Sequence, residues 1–263
     1  MEKTEREEIL SKFSHIFEDE KKFYNNKKDI SSRSKFDLES ESFFKLANLK
    51  FKELLGYVKG KKILDVGCGR GSLSFYLAEK GANVIGIDLS KNFIDICEQV
   101  ATELKLDIEF KVMNAQIPEF DDNTFDIITG SRVIHHLPDI ETFLTASKRL
   151  LKKKGYIVFI EPLKKNIIVE LNRKYFAPKE RTKYEHPLYM SDVMKGMKVF
   201  GNITHSEFFL LSPVARVFQK FIRNPNIFII LYKFLNFIEK PLYKINFLKQ
   251  YCWQTVFKCV RLN

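Results

Sequence analysis

The chain has 263 residues, 45% hydrophobic and 29% charged, enough for one large core or a core with a small cap in an ordinary globular protein. No run of 18 apolar residues occurs, which excludes a spanning helix. The four cysteines lack C-x-x-C or metal-ligand spacing, so they read as reduced, mostly buried thiols. The net charge of +11 is uneven: residues 164–263 hold 18 of the 44 Lys/Arg but only 6 of the 33 Asp/Glu. A basic, aromatic C-terminal part points to an anionic partner or to a lysine-rich composition.

In chain order, residues 4–58 read as helical, with Ile9, Leu10, Phe13, Ile16 and Phe17 at helical spacing. The opening is polar and acidic, unlike a signal peptide. A polar break at 25–35 precedes a second helix near 40–58. Strands are then predicted at 62–66, 83–87, 108–113, 125–130 and 155–161, with helices at 72–80, 92–104 and 140–151 between them. Ser90 is placed to cap the second of these helices. Strands alternating with helices imply a parallel sheet. Residues 164–198 read as a cap, 202–212 as a sixth strand, 214–248 as two helices split at Asn224-Pro225-Asn226, and 250–260 as a seventh strand packed through Trp253.

The most specific signal is Ile63-Leu64-Asp65-Val66-Gly67-Cys68-Gly69-Arg70-Gly71, followed by Asp88 at the end of the next apolar run. In a strand–helix–strand unit the turn after the first strand cradles a nucleotide-like ligand, and an acid ending the second bonds ribose hydroxyls. The glycines are spaced G-x-G-x-G, not the G-x-G-x-x-G of dinucleotide sites. A carboxylate at Asp65 would repel a pyrophosphate and attract a cationic amino or sulfonium group.

With Asn114-Ala115, Phe125-Asp126, the 134–139 segment Ile-His-His-Leu-Pro-Asp, and Gly155 before a strand, the chain resembles the class I S-adenosylmethionine-dependent methyltransferases over about residues 55–163. Its core motifs are similar to those of the ubiquinone/menaquinone methyltransferase group, without a match to their substrate segments. The resemblance implies an α/β, Rossmann-like, seven-stranded, mostly parallel sheet with an antiparallel last strand and helices on both faces. Residues 1–58 would form a helical lid, 59–163 the cofactor-binding core and 164–263 the acceptor-side region, with a helical insertion before the last strand. It also implies that Gly67, Cys68, Gly69 and Gly71 approach the methionine part of S-adenosyl-L-methionine and that Asp65 faces its amino group. Asp88 and Leu89 would meet the ribose, Asn114 and Ala115 the adenine, and Ser131 (with Arg132) the carboxylate; His135 would lie along the cofactor. Phe23, Tyr24 and Phe36 are candidate acceptor-pocket or core aromatics.

Candidate bases are His136, Glu161 at the end of the fifth strand, and His186 in the 181–188 loop with Glu185 and Tyr184. The acceptor is expected to be a small molecule. The 214–248 segment is dense in Phe, Ile and Leu and carries Arg216, Lys220, Arg223, Lys233, Lys240 and Lys244, with Lys249 following. It suits a membrane surface and a lipophilic acceptor, or equally a face buried on the sheet or in a homodimer. A cytoplasmic protein, peripheral to the inner membrane face under the first reading, is expected. An aqueous sugar or secondary metabolite is the alternative acceptor. A nucleic-acid substrate is disfavoured, because no Asn-Pro-Pro-Tyr-type motif follows the fourth strand. A non-catalytic binding protein is disfavoured by the intact Asp65, Gly67, Gly69 and Asp88.

Overall fold

The computed structural model describes residues 3–26, 43–175, 182, 184–219 and 224–262. Phe36, Lys220 and Arg223, singled out above, lie outside these residues, as do Arg181 and Lys183 of the 181–188 loop. The described elements are α1 (Lys3–Lys12), α2 (Ser14–Asn25), α3 (Lys45–Leu55), β1 (Lys62–Val66), α4 (Ser72–Glu79), β2 (Asn83–Asp88), α5 (Lys91–Leu104) and β3 (Ile108–Val112). There follow β4 (Phe125–Ser131), a 3-10 turn (Ile134–His136), α6 (Ile140–Leu150), β5 (Leu151–Pro162), α7 (Ile167–Tyr175) and α8 (Met190–Phe200). The chain closes with β6 (Thr204–Phe208), α9 (Pro213–Phe218), α10 (Pro225–Leu242), α11 (Asn246–Lys249) and β7 (Gln254–Val260).

The seven strands form one sheet in the order β3-β2-β1-β4-β5-β7-β6. β1 to β5 run parallel, and β7 is antiparallel to both β5 and β6. Alternation along the central strands sends successive apolar side chains to opposite faces. Leu64, Ile128 and Phe159 join the cluster that holds Phe143 and Leu144 of α6 and Val193 and Phe200 of α8. Ile63, Ile127 and Val158 join the cluster with Phe51 and Leu55 of α3 and Leu73 and Leu77 of α4. Both faces are covered, as the near-continuous apolar strands require. The strand order reverses between β1 and β4, and in open α/β sheets the crevice beyond such a reversal is where ligands bind.

Local signals set several boundaries. Ser90 caps α5, its hydroxyl accepting from the Phe93 amide at 3.3 Å, and Asp139 caps α6 through the Thr142 amide at 3.1 Å. β5 differs from expectation: it begins at Leu151, which pairs with Phe125 ahead of a register shift. The orphan carbonyls at the end of α6 are taken up by the Arg261 guanidinium, which donates to Lys148 and Arg149 at 3.1 Å and also to Leu151. β6 is shorter than the expected 202–212, because Phe209 takes a φ of 66° and leaves the sheet. Trp253 precedes β7 and packs on Phe44, ring centroids 5.1 Å apart. The 214–248 insertion forms α9, α10 and α11 rather than two helices.

Candidate functional site

Beyond the C-terminal ends of β1, β2 and β4 lies a cavity of about 360 Å³, within the range of small-molecule sites (about 300–1,000 Å³). The turn after β1 forms one wall. Gly67 has a φ of 61°, and a Cβ there would lie 2.3 Å from Val133 Cγ2, so no other residue fits without moving the β4 loop. The Gly69 amide donates to Asp88 Oδ2 at 2.9 Å, and the Ser90 amide to Asp88 Oδ1 at 2.9 Å. Asp88 thereby ties the turn to the start of α5, while each oxygen keeps a lone pair for a ligand hydroxyl. Burial raises its pKa against these amide contacts.

Asp65 is buried, and its Oδ2 accepts from the Ser74 hydroxyl at 2.6 Å. Burial pushes its pKa up to about 7, opposed by Ser74 and reinforced by Asp88. Cys68 lines the same wall, and its thiol is pushed well above the ordinary value, largely by its contact with Cys97 and by burial, so it is not a reactive thiolate.

The opposite wall is helical. α2 presents Phe17, Glu20 and Tyr24 to the cavity, one face of a helix. Asn25 at its end accepts from the Ser90 hydroxyl at 2.8 Å, fastening α2 to the start of α5. Tyr24 packs on Phe93 at 5.8 Å and on His136 at 5.9 Å, and its hydroxyl lies 3.4 Å from His136 Nε2. Burial, then Glu20, Glu185 and Asp88, raise the Tyr24 pKa, so its phenol stays neutral. Tyr184 bonds Asp19 of α2 at 3.2 Å and stacks edge-on with His15, so part of the 181–188 segment braces this helix from outside.

Of the residues singled out in the sequence, Asp65, Gly67, Cys68, Gly69 and Asp88 line the cavity, as do Leu89, Asn114, Ala115, Ser131 and His136. The Asn114 side-chain Oδ1 already accepts from the Gln116 backbone amide at 2.9 Å, leaving one lone pair for an adenine amine. Arg132, also in the wall, stands over the Phe44 ring at 4.8 Å with a φ of 58°.

Four residues sit elsewhere. Gly71 is the N-terminal cap position of α4 and does not reach the cavity. His135 is buried on the far side of the 3-10 turn, its Nδ1 2.7 Å from Glu161 Oε2. Glu161 is fully buried, and its Oε1 accepts from the Val133 and Ile134 amides at 2.8 and 2.9 Å. It is thus a clamp on the β4 loop, with three of its acceptor positions taken by protein donors. His186 is exposed, and its amide donates to the His135 carbonyl at 3.0 Å. Glu20 is the charged cavity residue that the sequence does not single out, and Ser72, Leu73, Phe93 and Val133 also line the wall. The signal for Glu20 is a glutamate in the stripe Phe13, Phe17, Glu20, Tyr24, where an apolar residue belongs.

The chemistry of this donor set is that of a nucleoside carrying a cationic amino acid. It offers a carboxylate for two hydroxyls, an amide oxygen for an amine, a buried acid beside a glycine turn, and few donors for a pyrophosphate. Residues 64–159 match the family model described as a methyltransferase domain. The ubiquinone biosynthesis O-methyltransferase of Pelagibacter ubique (strain HTCC1062) is 40% identical over 110 residues, 42% of this chain and 45% of that relative. Phosphoethanolamine N-methyltransferase 3 of Arabidopsis thaliana is 37% identical over 113 residues, 43% of this chain and 23% of that protein. The chain thus spans less than half the length of these curated relatives in the match. Among solved structures, the geranyl diphosphate C-methyltransferase of Streptomyces coelicolor A3(2) aligns over 94% of this chain and 98% of its own, with a TM-score of 0.60 and 16% identity. Phosphoethanolamine N-methyltransferase 2 of Haemonchus contortus, in complex with S-adenosyl-L-methionine, aligns over 83% and 52%, with a TM-score of 0.57 and 22% identity. These two establish the fold.

Residues 64–159 of this chain form a methyltransferase domain. Its cofactor is S-adenosyl-L-methionine, and the cavity residues fit that molecule.

Proposed function

We propose that this protein transfers a methyl group from S-adenosylmethionine to a small-molecule acceptor reached beneath α2, and that the acceptor is lipophilic and taken from a membrane surface. The observation that carries the transfer reading is one cavity holding the Gly67–Gly69 turn, Asp65 and Asp88 at one end and Tyr24 and His136 at the other. S-adenosylmethionine supplies an electrophilic methyl carbon on a sulfonium. The protein's part is alignment and exclusion of water, and positioning can supply about 7–11 kcal/mol of barrier reduction. Asp88 would hold the ribose hydroxyls, Asn114 and Ala115 would flank the adenine, Ser131 and Arg132 would face the carboxylate, and Asp65 would take the ammonium. Transfer of label from methyl-labelled S-adenosylmethionine into an extract of the cells that make the protein tests the reading. Label in the lipid fraction supports it, and label confined to the aqueous fraction overturns the lipophilic acceptor.

Asp65 gives the site a pH signature. A carboxyl whose pKa folding raises from 3.8 to about 7 destabilises the free protein progressively across that interval as pH rises. Ammonium binding needs the ionised form, so affinity for S-adenosylmethionine is expected to rise about tenfold from about pH 5.5 to 7, below the range where the ligand's own amino group titrates. Calorimetric titrations at both pH values, repeated on Asp65→Asn, check this; a wild-type affinity as flat as the variant's contradicts it.

The lipid surface rests on α10. Its inward positions are polar: Asn236 and Glu239 are buried, and Glu239 accepts from the Leu211 and Ser212 amides at 2.7 and 3.0 Å. The Tyr232 hydroxyl donates to the Phe43 carbonyl at 2.9 Å, and the Phe209 amide donates to the Tyr243 hydroxyl at 3.0 Å. Its outward positions are apolar: Ile230 is 67% exposed, Phe234 58% and Phe237 74%. Exposed Lys233, Lys240 and Lys244 flank this face. A helix polar toward its own protein and apolar toward solvent, with lysines beside it, matches an anionic bilayer interface. No described helix is long and apolar enough to cross a membrane. The double variant Phe234→Asp, Phe237→Asp is expected to lose at least about tenfold in binding to vesicles of phosphatidylglycerol and phosphatidylcholine, with cofactor affinity unchanged. Equal sedimentation of variant and wild type contradicts the membrane role.

A further inference from the structure

We propose that Glu20 is the positioning partner of His136 and that the pair removes the proton of a hydroxyl acceptor, making the transfer an O-methylation. This rests on the methyl-transfer reading of the cavity. Glu20 is 3% exposed and lines the cavity. Its Oε2 lies 3.4 Å from His136 Nδ1, an ion-pair separation without a hydrogen bond, and neither its Oε1 nor His136 Nδ1 has a hydrogen-bond partner among the described residues. A buried carboxylate oxygen without a partner destabilises a fold, and such a cost concentrates at working sites.

Two carboxylate–imidazole pairs stand side by side here, the His135 and His136 rings 4.2 Å apart. In one, His135 and Glu161 are sealed in the core and Glu161 is anchored by two further amides. The other, Glu20 with His136, opens on the cavity. It is assembled only when α2 packs over the sheet, since Glu20 comes from α2 and His136 from the turn after β4. A carboxylate this close to Nδ1, once drawn into hydrogen-bond contact by a bound acceptor, would hold the tautomer with its proton on Nδ1 and leave the Nε2 lone pair for the acceptor. Nε2 points to the Tyr24 hydroxyl at 3.4 Å, marking where an acceptor hydroxyl would sit. Tyr24 cannot itself be the base, because burial and the surrounding acids keep it a phenol. The charged groups around the pair are Asp65 and Asp88 from the ends of β1 and β2, Arg132 after β4, and Glu185 before α8.

The step balances without another reactant. The acceptor O–H proton passes to His136 Nε2 and the oxygen's electron pair forms the bond to the methyl carbon. The carbon–sulfur bond breaks with its electrons staying on sulfur, and Glu20 stabilises the imidazolium until the proton leaves to water.

The test uses Glu20→Met, which has similar length and no acceptor, and Glu20→Gln, which still accepts from Nδ1 but carries no charge. Nitrogen NMR of the S-adenosylhomocysteine-bound protein is expected to show His136 protonated on Nδ1 in wild type and in Glu20→Gln, and not in Glu20→Met. With substituted phenols as probe acceptors, kcat is expected to fall about a hundredfold in both variants. The loss should shrink as the phenol becomes more acidic, because a pre-ionised acceptor needs no base. Full rescue of kcat by Gln, or a loss independent of acceptor acidity, would reduce Glu20 to packing and overturn the proposal. So would methylation of amine probes with no phenol or alcohol methylated. Unaltered cofactor affinity in the variants shows that the site is intact. Failure of wild type to bind the cofactor overturns the methyl-transfer reading instead.

Discussion

Replacing Asp88 with alanine is expected to weaken S-adenosylmethionine binding by about two orders of magnitude or more while leaving the fold in place. Two hydrogen bonds from ligand hydroxyls to a carboxylate, at about 1.5–3 kcal/mol each, account for that loss. The same carboxylate joins the Gly69 and Ser90 amides, so its removal also frees the turn that must approach the ligand. Asp88→Asn keeps one acceptor oxygen and is expected to lose less. Calorimetric titration of the three proteins decides the matter, with thermal melts to confirm folding. An affinity for Asp88→Ala within about threefold of wild type would remove the cofactor from this cavity.

Replacing Glu161 with alanine is the largest expected loss of stability. Glu161 takes the Val133 and Ile134 amides and the His135 ring in a fully buried position. Truncation strands three donors in the core, at a cost of about 3–5 kcal/mol. For a chain of this size that is a fall of roughly 6–20 °C in Tm. Were Glu161 instead a catalytic base, the variant would melt near wild type and lose only turnover. A thermal melt alone separates the two.

The motifs that could be read from the sequence are those whose geometry is local. The turn after β1 needs glycine where a Cβ would strike Val133, and Asp88 is tied to it by the pairing of β1 with β2 in consecutive register. Ser90 reads as a helix cap because capping is a short-range hydrogen bond. His135 and His136 show where such reading ends. They are neighbours in one 3-10 turn, yet one faces the core and the other the cavity, and only the packing of Glu161 and Glu20 distinguishes them. Glu161 sits at the strand end where a ligand group belongs, but the β4 loop claims it first. The β5 start at Leu151 is hidden because Lys152, Lys153 and Lys154 read as a loop, whereas pairing with Phe125 draws Leu151 into the sheet. For α10, Asn236 looks like a flaw in an apolar helix. With Tyr232, Glu239 and Tyr243 it marks the docked face, so the helix is turned opposite to the usual amphipathic orientation.

The most direct test of the account is a crystal structure of the protein with S-adenosylhomocysteine. The account predicts the ribose hydroxyls on Asp88, the amino group facing Asp65, and the sulfur turned toward the space between Glu20, Tyr24 and His136. A ligand bound outside this cavity, or seated in it with its sulfur pointing away from α2, would contradict both the site and the route by which an acceptor meets the methyl group.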